Sequence, residues 1–587
     1  MNEVHHFLGK IALCWLRILA KISLLTYYHV PGIWNTRFWT QNRYKTIKAT
    51  TKLGSLIFAT KLGSYNHTRY LQKLEGSRVV YSACIYFADI MVHYNLMEDV
   101  FSNLFREYHH MSTLNLILVL ILVYVTRVIR SIVLPPANFP RNIPTIPFYV
   151  SFLGYLNKSD QRTIYDLHLR QKLEKYGAVK IYFASRWNIM ITRPSFLKEL
   201  FSKESIYAKS GNHIKIPYAV LSAYTGDNII SSHGENWKLY RSIVASSIQF
   251  PDTNPVVANA ERFMFLLDEK IKCSKSVMVG DVLQRFSLQN AGQSILGLDL
   301  DALSPNSEVH QKVVYIKKQI FEPLFLNFPY LDKFPIPSRM KAKYEVEKFR
   351  DYFSSKVYSE EYFNNLAGKR LVGAYQKERL SRKQFQDNSI ILMVAGHENP
   401  LLLMTSLLYC IAKHSHVQTK LRKELEAESN EDSGYFDSVV YETLRMFPPL
   451  GQIINRITTR TTVLGNDIII PEGTYVGYNN FGTGTDATVW GSNANEFKPE
   501  RWGTTSEEVS KCYKTAKRTG QLPAFHGGKR ACLGEKFALF ETRVIVLKIL
   551  KKYKIALDPN WKELCTPAGP ICPVNLQLVF DNLELPK

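Results

Sequence analysis

The chain has 587 residues, 46% of them hydrophobic and 21% charged, which is enough apolar material for a large core and excludes a disordered chain. Its formal net charge of +23 indicates an acidic protein, an anionic membrane surface or a nucleic acid as a partner. Nucleic acid is disfavoured because there is no zinc-finger spacing or RNA-binding motif, and the eight scattered cysteines form no paired framework, which fits a reducing compartment.

Residues 1–110 have the least informative pattern. The apolar stretch 11–28 is interrupted by two basic residues, and the stretch 34–69 is basic with almost no acid. We treat 1–110 as an N-terminal extension of unknown role, for which an amphipathic surface helix, a targeting sequence and a gene-model artefact are open alternatives. Met111 stands directly before an apolar run and is a candidate alternative start.

Residues 111–134 are predicted to form a transmembrane anchor. The apolar run in this segment has the ~20 residues that a bilayer requires. Arg127 and Arg130 near its end would extend to the interface and, with Arg141, place the following chain in the cytosol by the positive-inside rule. A buried core helix is the alternative.

The segment 135–147 contains five prolines and is predicted to be a stiff hinge that leads into a globular domain at 148–587. Helical patterns dominate that domain from Pro194 onward, and short strands interrupt them. We therefore predict an α+β fold that is mostly α-helical. The best-defined elements are a helix over 163–176 that ends at Gly177 and strands over 179–183, 188–192, 462–470 and 475–478.

Two helical patterns carry candidate functional residues. Trp237 and Arg241 lie four positions apart, so that an aromatic ring and a cation share one face of a predicted helix. A long apolar helix pattern over 390–411 contains Gly396 and Pro400, which predict a kink that frees backbone carbonyls. Each pattern has an ordinary alternative, an amphipathic helix in the first case and a kinked core helix in the second.

Charged residues follow at spacings that favour a buried cluster. Glu442 and Arg445 lie one helical turn apart, and Arg501 is a candidate third member. The role of such a cluster would be structural, because removing one partner of a buried ion pair costs on the order of 3–5 kcal/mol. Arg456 is a further candidate partner for a carboxylate.

The stretch from Phe525 to Gly534 has the complete spacing F-x-x-G-x-R-x-C-x-G. Cys532 can supply a thiolate, which is a strong iron ligand, and the next helix pattern places this sulfur before a helix N-terminus. Arg530 is a cation suited to a carboxylate, while Phe525 would shield the sulfur from water. Gly528 and Gly534 permit a tight turn and close approach to a flat cofactor. A buried cysteine in a glycine-rich turn is the alternative.

This stretch resembles the haem-thiolate loop of the cytochrome P450 family, and the preceding patterns occur in that family's order. The resemblance implies haem b as the cofactor, with its iron held by Cys532 and its propionates near Trp237, Arg241, Arg456 and Arg530. It also implies O2 as co-substrate and NADPH-cytochrome P450 reductase as electron donor, with cytochrome b5 as a second candidate donor. Basic residues around the loop that would attract such an acidic donor are Lys511, Lys514, Lys517, Arg518, Lys529 and Lys536.

The oxygen-binding pattern of that family, A-G-x-[DE]-T, is matched at Ala395, Gly396 and Glu398, but Asn399 replaces the threonine. In the family, the acid and the alcohol relay protons to bound dioxygen. An amide orders water but is a poorer proton relay than a hydroxyl. The resemblance therefore assigns catalytic roles to these four residues, with altered proton handling at Asn399.

A finer resemblance is to a fungal subfamily that oxidatively couples N-formyl-tyrosine. It implies that two N-formyl-tyrosines are joined into N,N'-bisformyl dityrosine for the spore or cell wall, by an enzyme of the endoplasmic reticulum membrane with a cytosolic catalytic domain. Lys209, His213 and Lys215 are candidate cations for the substrate carboxylates. The segments that carry this resemblance are 138–149, 176–180, 223–228, 394–400, 478–483 and 566–570.

Two other functions are open alternatives. A monooxygenase that hydroxylates a lipid or a secondary metabolite would use the same cofactor, whereas a haem-binding sensor would lack catalysis. Product analysis distinguishes the first from tyrosine coupling, and reductase-driven turnover distinguishes the second.

Overall fold

The computed structural model describes residues 113–359, 366–426 and 434–583. Helices dominate these residues and the strands form three small sheets, so the predicted class, α+β and mostly helical, is confirmed. The predicted N-terminal extension, 1–110, lies outside the described residues.

The α-helices of the first half are α1 (Thr113–Val133), α2 (Leu153–Asn157), α3 (Gln161–His168), α4 (Arg170–Tyr176), α5 (Pro194–Ser202), α6 (Asn212–Lys215), α7 (Val220–Thr225), α8 (Gly234–Gln249), α9 (Asn254–Cys273), α10 (Val279–Asn290) and α11 (Glu308–Ile320). Those of the second half are α12 (Pro323–Asn327), α13 (Pro337–Ser359), α14 (Ala367–Gln376), α15 (Arg382–Lys413), α16 (Ser415–Glu426), α17 (Gly434–Met446), α18 (Asn480–Gly484), α19 (Ala487–Trp490), α20 (Ser506–Thr519) and α21 (Glu535–Lys552). The strands are β1 (Ala178–Phe183), β2 (Arg186–Ile191), β3 (Tyr207–Lys209), β4 (Ser276–Met278), β5 (Gln452–Thr458), β6 (Thr462–Leu464), β7 (Ile468–Ile470), β8 (Tyr475–Asn479), β9 (Tyr553–Leu557) and β10 (Gln577–Asn582).

The chain divides between Arg130 and Ser131 into two units, of which the described residues are 113–130 in the first and those from Ser131 onward in the second. Helix α1 contains the apolar run of the predicted anchor, and its most exposed large apolar side chains, between Ile117 and Ile129, keep 39% to 69% of their surface. Among the described helices, length and hydropathy together select α15 as a possible span, but 67% of its apolar window is buried, which is typical of a core helix. Membrane crossing by α1 therefore stays a prediction.

The proline-rich segment 135–147, which is predicted to be a stiff hinge, packs against the domain that follows it. Ile143 and Ile146 are only 3% and 0% exposed. The Ile146 amide donates to the Lys180 carbonyl at 2.8 Å, and the Lys180 amide donates to the Pro144 carbonyl at 2.9 Å. The segment thus lies along β1, because its isoleucines gain more by burial in the domain than the prolines lose in hydrogen bonding.

The largest sheet has the strand order β1-β2-β8-β5-β3 and joins distant parts of the chain. Its pairs are antiparallel except for β2 with β8. In the pairing of β3 with β5, Lys209 lies opposite Arg456. The other two sheets are β4-β10-β9 and the hairpin β6-β7.

Helix α15 runs without a break and packs against α10, α13 and α21. A capping box between Ser381 and Gln384 closes its N-terminus. The predicted interruption at 395–400 is therefore not a break in the helix. Pro400 lies inside it and, having no N–H, cannot donate to the carbonyl of Gly396 as another residue would.

The predicted charge cluster is assembled around Glu442, which is 0% exposed, as is Arg445. Arg445 donates twice to the carboxylate, from Nη2 at 2.7 Å and from Nε at 2.8 Å. The Arg501 Nε at 3.3 Å, the Trp502 Nε1 at 3.0 Å and the backbone N–H of Lys498 at 2.9 Å complete its shell. The cluster ties α17 to the segment that leads toward the cysteine loop.

Candidate active site

The cysteine loop connects α20 to α21 and is closed by its own backbone. The Cys532 amide donates to the Phe525 carbonyl at 2.9 Å. Gly528 has a φ of +62°, and a Cβ at this position would lie 2.3 Å from the Phe201 carbonyl oxygen, so glycine is required there. Helix α21 begins directly after Gly534.

Cys532 borders a cavity formed by this loop, α8 and α15. Its side chain keeps accessible surface, and that surface faces the cavity. Most of the other cavity-wall residues are apolar, among them Ile229, Ile391 and Leu403. The predicted site residues that the structure brings together in the wall are Lys209, Trp237, Arg241, Ala395, Gly396, Asn399, Phe525, Arg530, Cys532 and Gly534.

The Cys532 thiol is less acidic than its place before a helix predicts. Burial raises its pKa above the ordinary value, although the backbone N–H groups of Gly534 and Glu535 act in the opposite direction. The helix N-terminus alone therefore does not produce a thiolate. Binding of a metal ion would displace the proton, since a coordinating thiol is deprotonated.

Four cations, Lys209, Arg241, Arg456 and Arg530, gather beside the cavity, and we call them the cationic group. The guanidinium of Arg530 lies 4.4 Å from the centre of the Trp237 ring and that of Arg241 lies 5.5 Å from it. Burial, together with Arg456 and Arg530, lowers the pKa of Lys209 well below its ordinary value. Burial likewise lowers the pKa of Arg530 to about 10. Like charges at this density are unfavourable unless anions lie among them.

Within the described residues, Glu204 is the carboxylate that contacts this group. It forms ion pairs with Arg456 Nη1 and, at 3.4 Å, with Arg530 Nε, and it lies 3.6 Å from His233 Nδ1. Arg456 also donates to the Tyr207 carbonyl at 3.0 Å. Arg456 is thus held behind the cavity wall, which corrects its predicted place at a propionate. The Nη1 of Arg530 is buried and has no hydrogen-bond partner in the described part of the chain.

Glu398, a predicted catalytic acid, lies outside the cavity wall. Its carboxylate is 2.9 Å from Lys317 Nζ and 2.9 Å from His397 Nε2, while His397 Nδ1 is 2.6 Å from the Met393 carbonyl oxygen. Burial by itself would raise the pKa of Glu398, but His397 and Lys317 outweigh it and lower the pKa to about 2. Glu398 is therefore an ionised, paired carboxylate, and Asn399 is the polar side chain that α15 contributes to the wall.

Of the three predicted substrate cations, the structure brings only Lys209 to the cavity. His213 Nε2 lies 3.3 Å from Asp227 Oδ1, and Lys215 Nζ donates to the Ile454 carbonyl at 2.9 Å. Both belong to α6, whose single turn carries their side chains to these other partners. Lys209 is the one of the three that remains a candidate substrate cation.

Two contacts at the site escaped the sequence patterns. His526 borders the cavity, and its Nδ1 is hydrogen-bonded with the hydroxyl of Tyr478, 48 residues away. Lys317 pairs with Glu398 from 81 residues earlier. His526 stands inside the cysteine-loop pattern, but neither contact has a spacing that would reveal it from the sequence.

A cysteine that faces a cavity between a closed loop and a long central helix is the arrangement of a haem-thiolate enzyme, in which a cysteine thiolate holds the haem iron. The chain belongs to the cytochrome P450 family, whose family model matches residues 144–574.

Known members share much of its length. Cytochrome P450-DIT2 of Saccharomyces cerevisiae is 45% identical over 486 residues, covering 80% of this chain and 99% of that protein. Cytochrome P450 monooxygenase xanG of Aspergillus fumigatus is 38% identical over 461 residues, covering 74% of this chain and 86% of that protein. Cytochrome P450 94A1 of Vicia sativa is 22% identical over 452 residues, covering 72% of this chain and 86% of that protein. The predicted family and the predicted oxidoreductase class are confirmed.

Family membership implies a haem-thiolate iron cofactor, and the residues present fit it. Cys532 contributes the thiol of the cavity wall. The space beside Gly534 is open, because a Cβ built there would have Ile248 Cγ2, at 3.7 Å, as its nearest neighbour, and this space leaves room for a flat group. The unpartnered Nη1 of Arg530 and the excess of cations suit two propionates. When bound, the haem supplies the activation of O2 with electrons from a redox partner.

Proposed function

We propose that this P450 couples two N-formyl-tyrosines into N,N'-bisformyl dityrosine for the fungal spore or cell wall, using haem b, O2 and electrons from NADPH-cytochrome P450 reductase. The observation that carries the proposal is the basic side chain of Lys209 in a largely apolar cavity wall, with no carboxylate at ion-pair distance among the described residues. A bound substrate carboxylate would hold this side chain in its ammonium form. The 45% identity to the yeast protein DIT2 supports it.

The balance of charge near Lys209 favours a substrate with one carboxylate. The cationic group holds four basic residues, Glu204 offsets one of them, and the two propionates of haem b would offset two more. Lys209 is then the basic side chain left without an anion, and a substrate carboxylate beside it would favour its protonated form. N-formylation suits this site because it removes the amino group's positive charge, which the cationic group would repel, while the phenol ring matches the apolar wall.

The chemistry of coupling is compatible with the wall residues. Removal of one hydrogen atom from each of two phenols gives two radicals that join carbon to carbon, and no oxygen atom enters the product. Asn399, rather than a hydroxyl residue, faces the cavity from α15. An amide orders water but is a poorer proton relay than a hydroxyl, so we propose that Asn399 reflects altered proton handling for this task.

Purified protein incubated with the reductase, NADPH and N-formyl-tyrosine tests this proposal. We expect dityrosine fluorescence and a product mass equal to two substrates less two hydrogen atoms. Isotopically labelled O2 should leave no label in the product. A single hydroxylated tyrosine that carries the label would contradict coupling.

The second candidate is a monooxygenase that hydroxylates a lipid or secondary metabolite. It is favoured by the 38% identity to xanG, which is named as a monooxygenase, and by the apolar character of the cavity wall. Incorporation of labelled oxygen into a lipid-like substrate, with no turnover of N-formyl-tyrosine, would establish this function instead.

We expect Lys209→Met to weaken N-formyl-tyrosine binding by about ten- to a hundredfold, the range for a lost hydrogen bond to a charged group. The methyl ester of N-formyl-tyrosine, which lacks the carboxylate, should bind both proteins equally. Substrate-induced changes in the haem spectrum measure both affinities. Lys215→Met is the matched control, because Lys215 is also a lysine of this region but binds the Ile454 carbonyl. Equal losses for acid and ester would exclude the role of Lys209.

Replacing Asn399 by threonine restores the hydroxyl of the family pattern to the cavity wall. We expect at least a several-fold change in the ratio of dityrosine to released peroxide, together with some hydroxylated tyrosine, because the hydroxyl relays protons to bound oxygen. Asn399→Ala is the control, since it removes the amide without adding a relay. If Asn399→Thr leaves the ratio of dityrosine to peroxide unchanged, Asn399 does not act through proton handling.

We further propose that α1 anchors the enzyme in the endoplasmic reticulum membrane and that the catalytic domain is cytosolic. The reductase, and cytochrome b5 as a second donor, would bind the basic residues near the cysteine loop. Lys517 is ion-paired with Glu535 and is less available for this contact. The exposed members of the set are Lys511, Lys514, Arg518, Lys529 and Lys536.

A further inference from the structure

His526 adopts a backbone conformation that is uncommon for a residue other than glycine. Its φ is +60°, in the left-handed region, where a non-glycine residue is sterically disfavoured. The next two residues are Gly527 and Gly528, so glycine is already used at neighbouring positions of this loop. A histidine retained in such a conformation at a cavity wall indicates that the imidazole has a role.

The contact with Tyr478 determines which nitrogen of His526 carries hydrogen. Tyr478 is 1% exposed, and burial raises the pKa of its phenol, so the hydroxyl keeps its hydrogen. The imidazole Nδ1 is the partner of that hydroxyl among the described residues. If Nδ1–H were the donor, the buried phenol hydrogen would have no acceptor, so the hydroxyl donates and Nδ1 accepts.

The imidazole is also held neutral. Burial and the neighbouring charges of Lys209, Arg456 and Arg530 lower the pKa of His526 well below its ordinary value. A neutral ring whose Nδ1 accepts must carry its hydrogen on Nε2. His526 therefore presents an N–H donor beside the cationic group, in the same loop as Cys532, at a place that attracts anions.

We propose that His526 binds a haem propionate through Nε2–H and that Tyr478 is the positioning residue that selects this tautomer. Cys532 and Arg530 lie in the same closed loop, so a haem held at the sulfur would meet the donors of Arg530 and His526 as one fixed set. A charge-assisted hydrogen bond to a carboxylate is stronger than a neutral one. The proposal does not depend on which substrate the enzyme takes.

Haem loss from the holoenzyme to excess apomyoglobin tests it. We expect His526→Gly to lose haem at least about tenfold faster than the wild type, which corresponds to one hydrogen bond to a charged group. His526→Asn should be intermediate, because asparagine tolerates the left-handed region and its amide can donate. Tyr478→Phe should also lose haem faster, by a smaller factor.

A backbone control separates the lost hydrogen bond from the change in conformation. Glu378 has a φ of +56° and is exposed, so Glu378→Gly makes the same backbone change elsewhere. Glu378→Gly should unfold at the wild-type temperature or above it when free of haem, whereas His526→Gly should unfold at a lower temperature, because the buried Tyr478 hydroxyl loses its acceptor. Only His526→Gly should lose haem faster. Wild-type haem retention in His526→Gly would overturn the proposal. So would a weakened N-formyl-tyrosine affinity with unchanged haem retention, since it would place the imidazole at the substrate.

Discussion

Cys532→Ser is expected to abolish the spectrum of a thiolate-ligated haem and to reduce turnover by more than the ~100-fold typical of residues that only support a metal ligand. Cys532 is the sulfur in the described cavity wall, and a serine hydroxyl is a weaker ligand for iron than a thiolate. The spectrum of the reduced carbonyl complex and NADPH consumption with the reductase are the measurements.

Cys512→Ser provides the matched control. Cys512 is a half-buried thiol of α20 and lies outside the cavity wall, so its loss should leave the spectrum and turnover intact. A thiolate-type spectrum retained in Cys532→Ser would mean that another residue holds the iron.

Glu442→Ala is expected to lower the free energy of unfolding by about 3–5 kcal/mol. The substitution leaves the Arg445 guanidinium, which is 0% exposed, as an uncompensated buried charge, and it removes the acceptor of the Trp502 indole N–H. Urea unfolding followed by circular dichroism measures the loss. Haem content should fall with stability, because Glu442 contacts the segment that leads toward the cysteine loop.

Glu500→Ala is the control for this prediction. Glu500 lies two residues from Trp502 and pairs with Lys420, but both side chains are at least 40% exposed. Breaking such a surface pair should cost at most about 1 kcal/mol. If both variants lose the same free energy of unfolding, burial of the Glu442 cluster is not the source of its contribution to stability.

Features that depend on local spacing were predictable from the sequence. The helical repeat placed Trp237 beside Arg241, and it placed Glu442 one turn from Arg445. The cysteine loop was also predictable, because its glycines, arginine and cysteine act within ten residues. Family membership follows from this short pattern together with the order of the others.

Features that depend on contacts between distant segments were not predictable. The pattern around Glu398 assigned it to the oxygen site, but Lys317, 81 residues earlier, holds it outside the cavity wall. Arg456 lies opposite Lys209 in the sheet, and Glu204 holds it behind the wall. Sequence spacing does not specify which of several charged residues will pair with a given opposite charge in the folded chain.

By itself, the sequence determined the family and the helical class and predicted Cys532 as the iron ligand, because these rest on residues that are close in the chain. Only the tertiary structure decided which cations border the cavity. Lys209 ends a strand at the cavity, while Lys215, six residues later, is turned by α6 toward a backbone carbonyl. The physical reason is that one short turn redirects a side chain completely, and the fold that surrounds the turn sets where the side chain points.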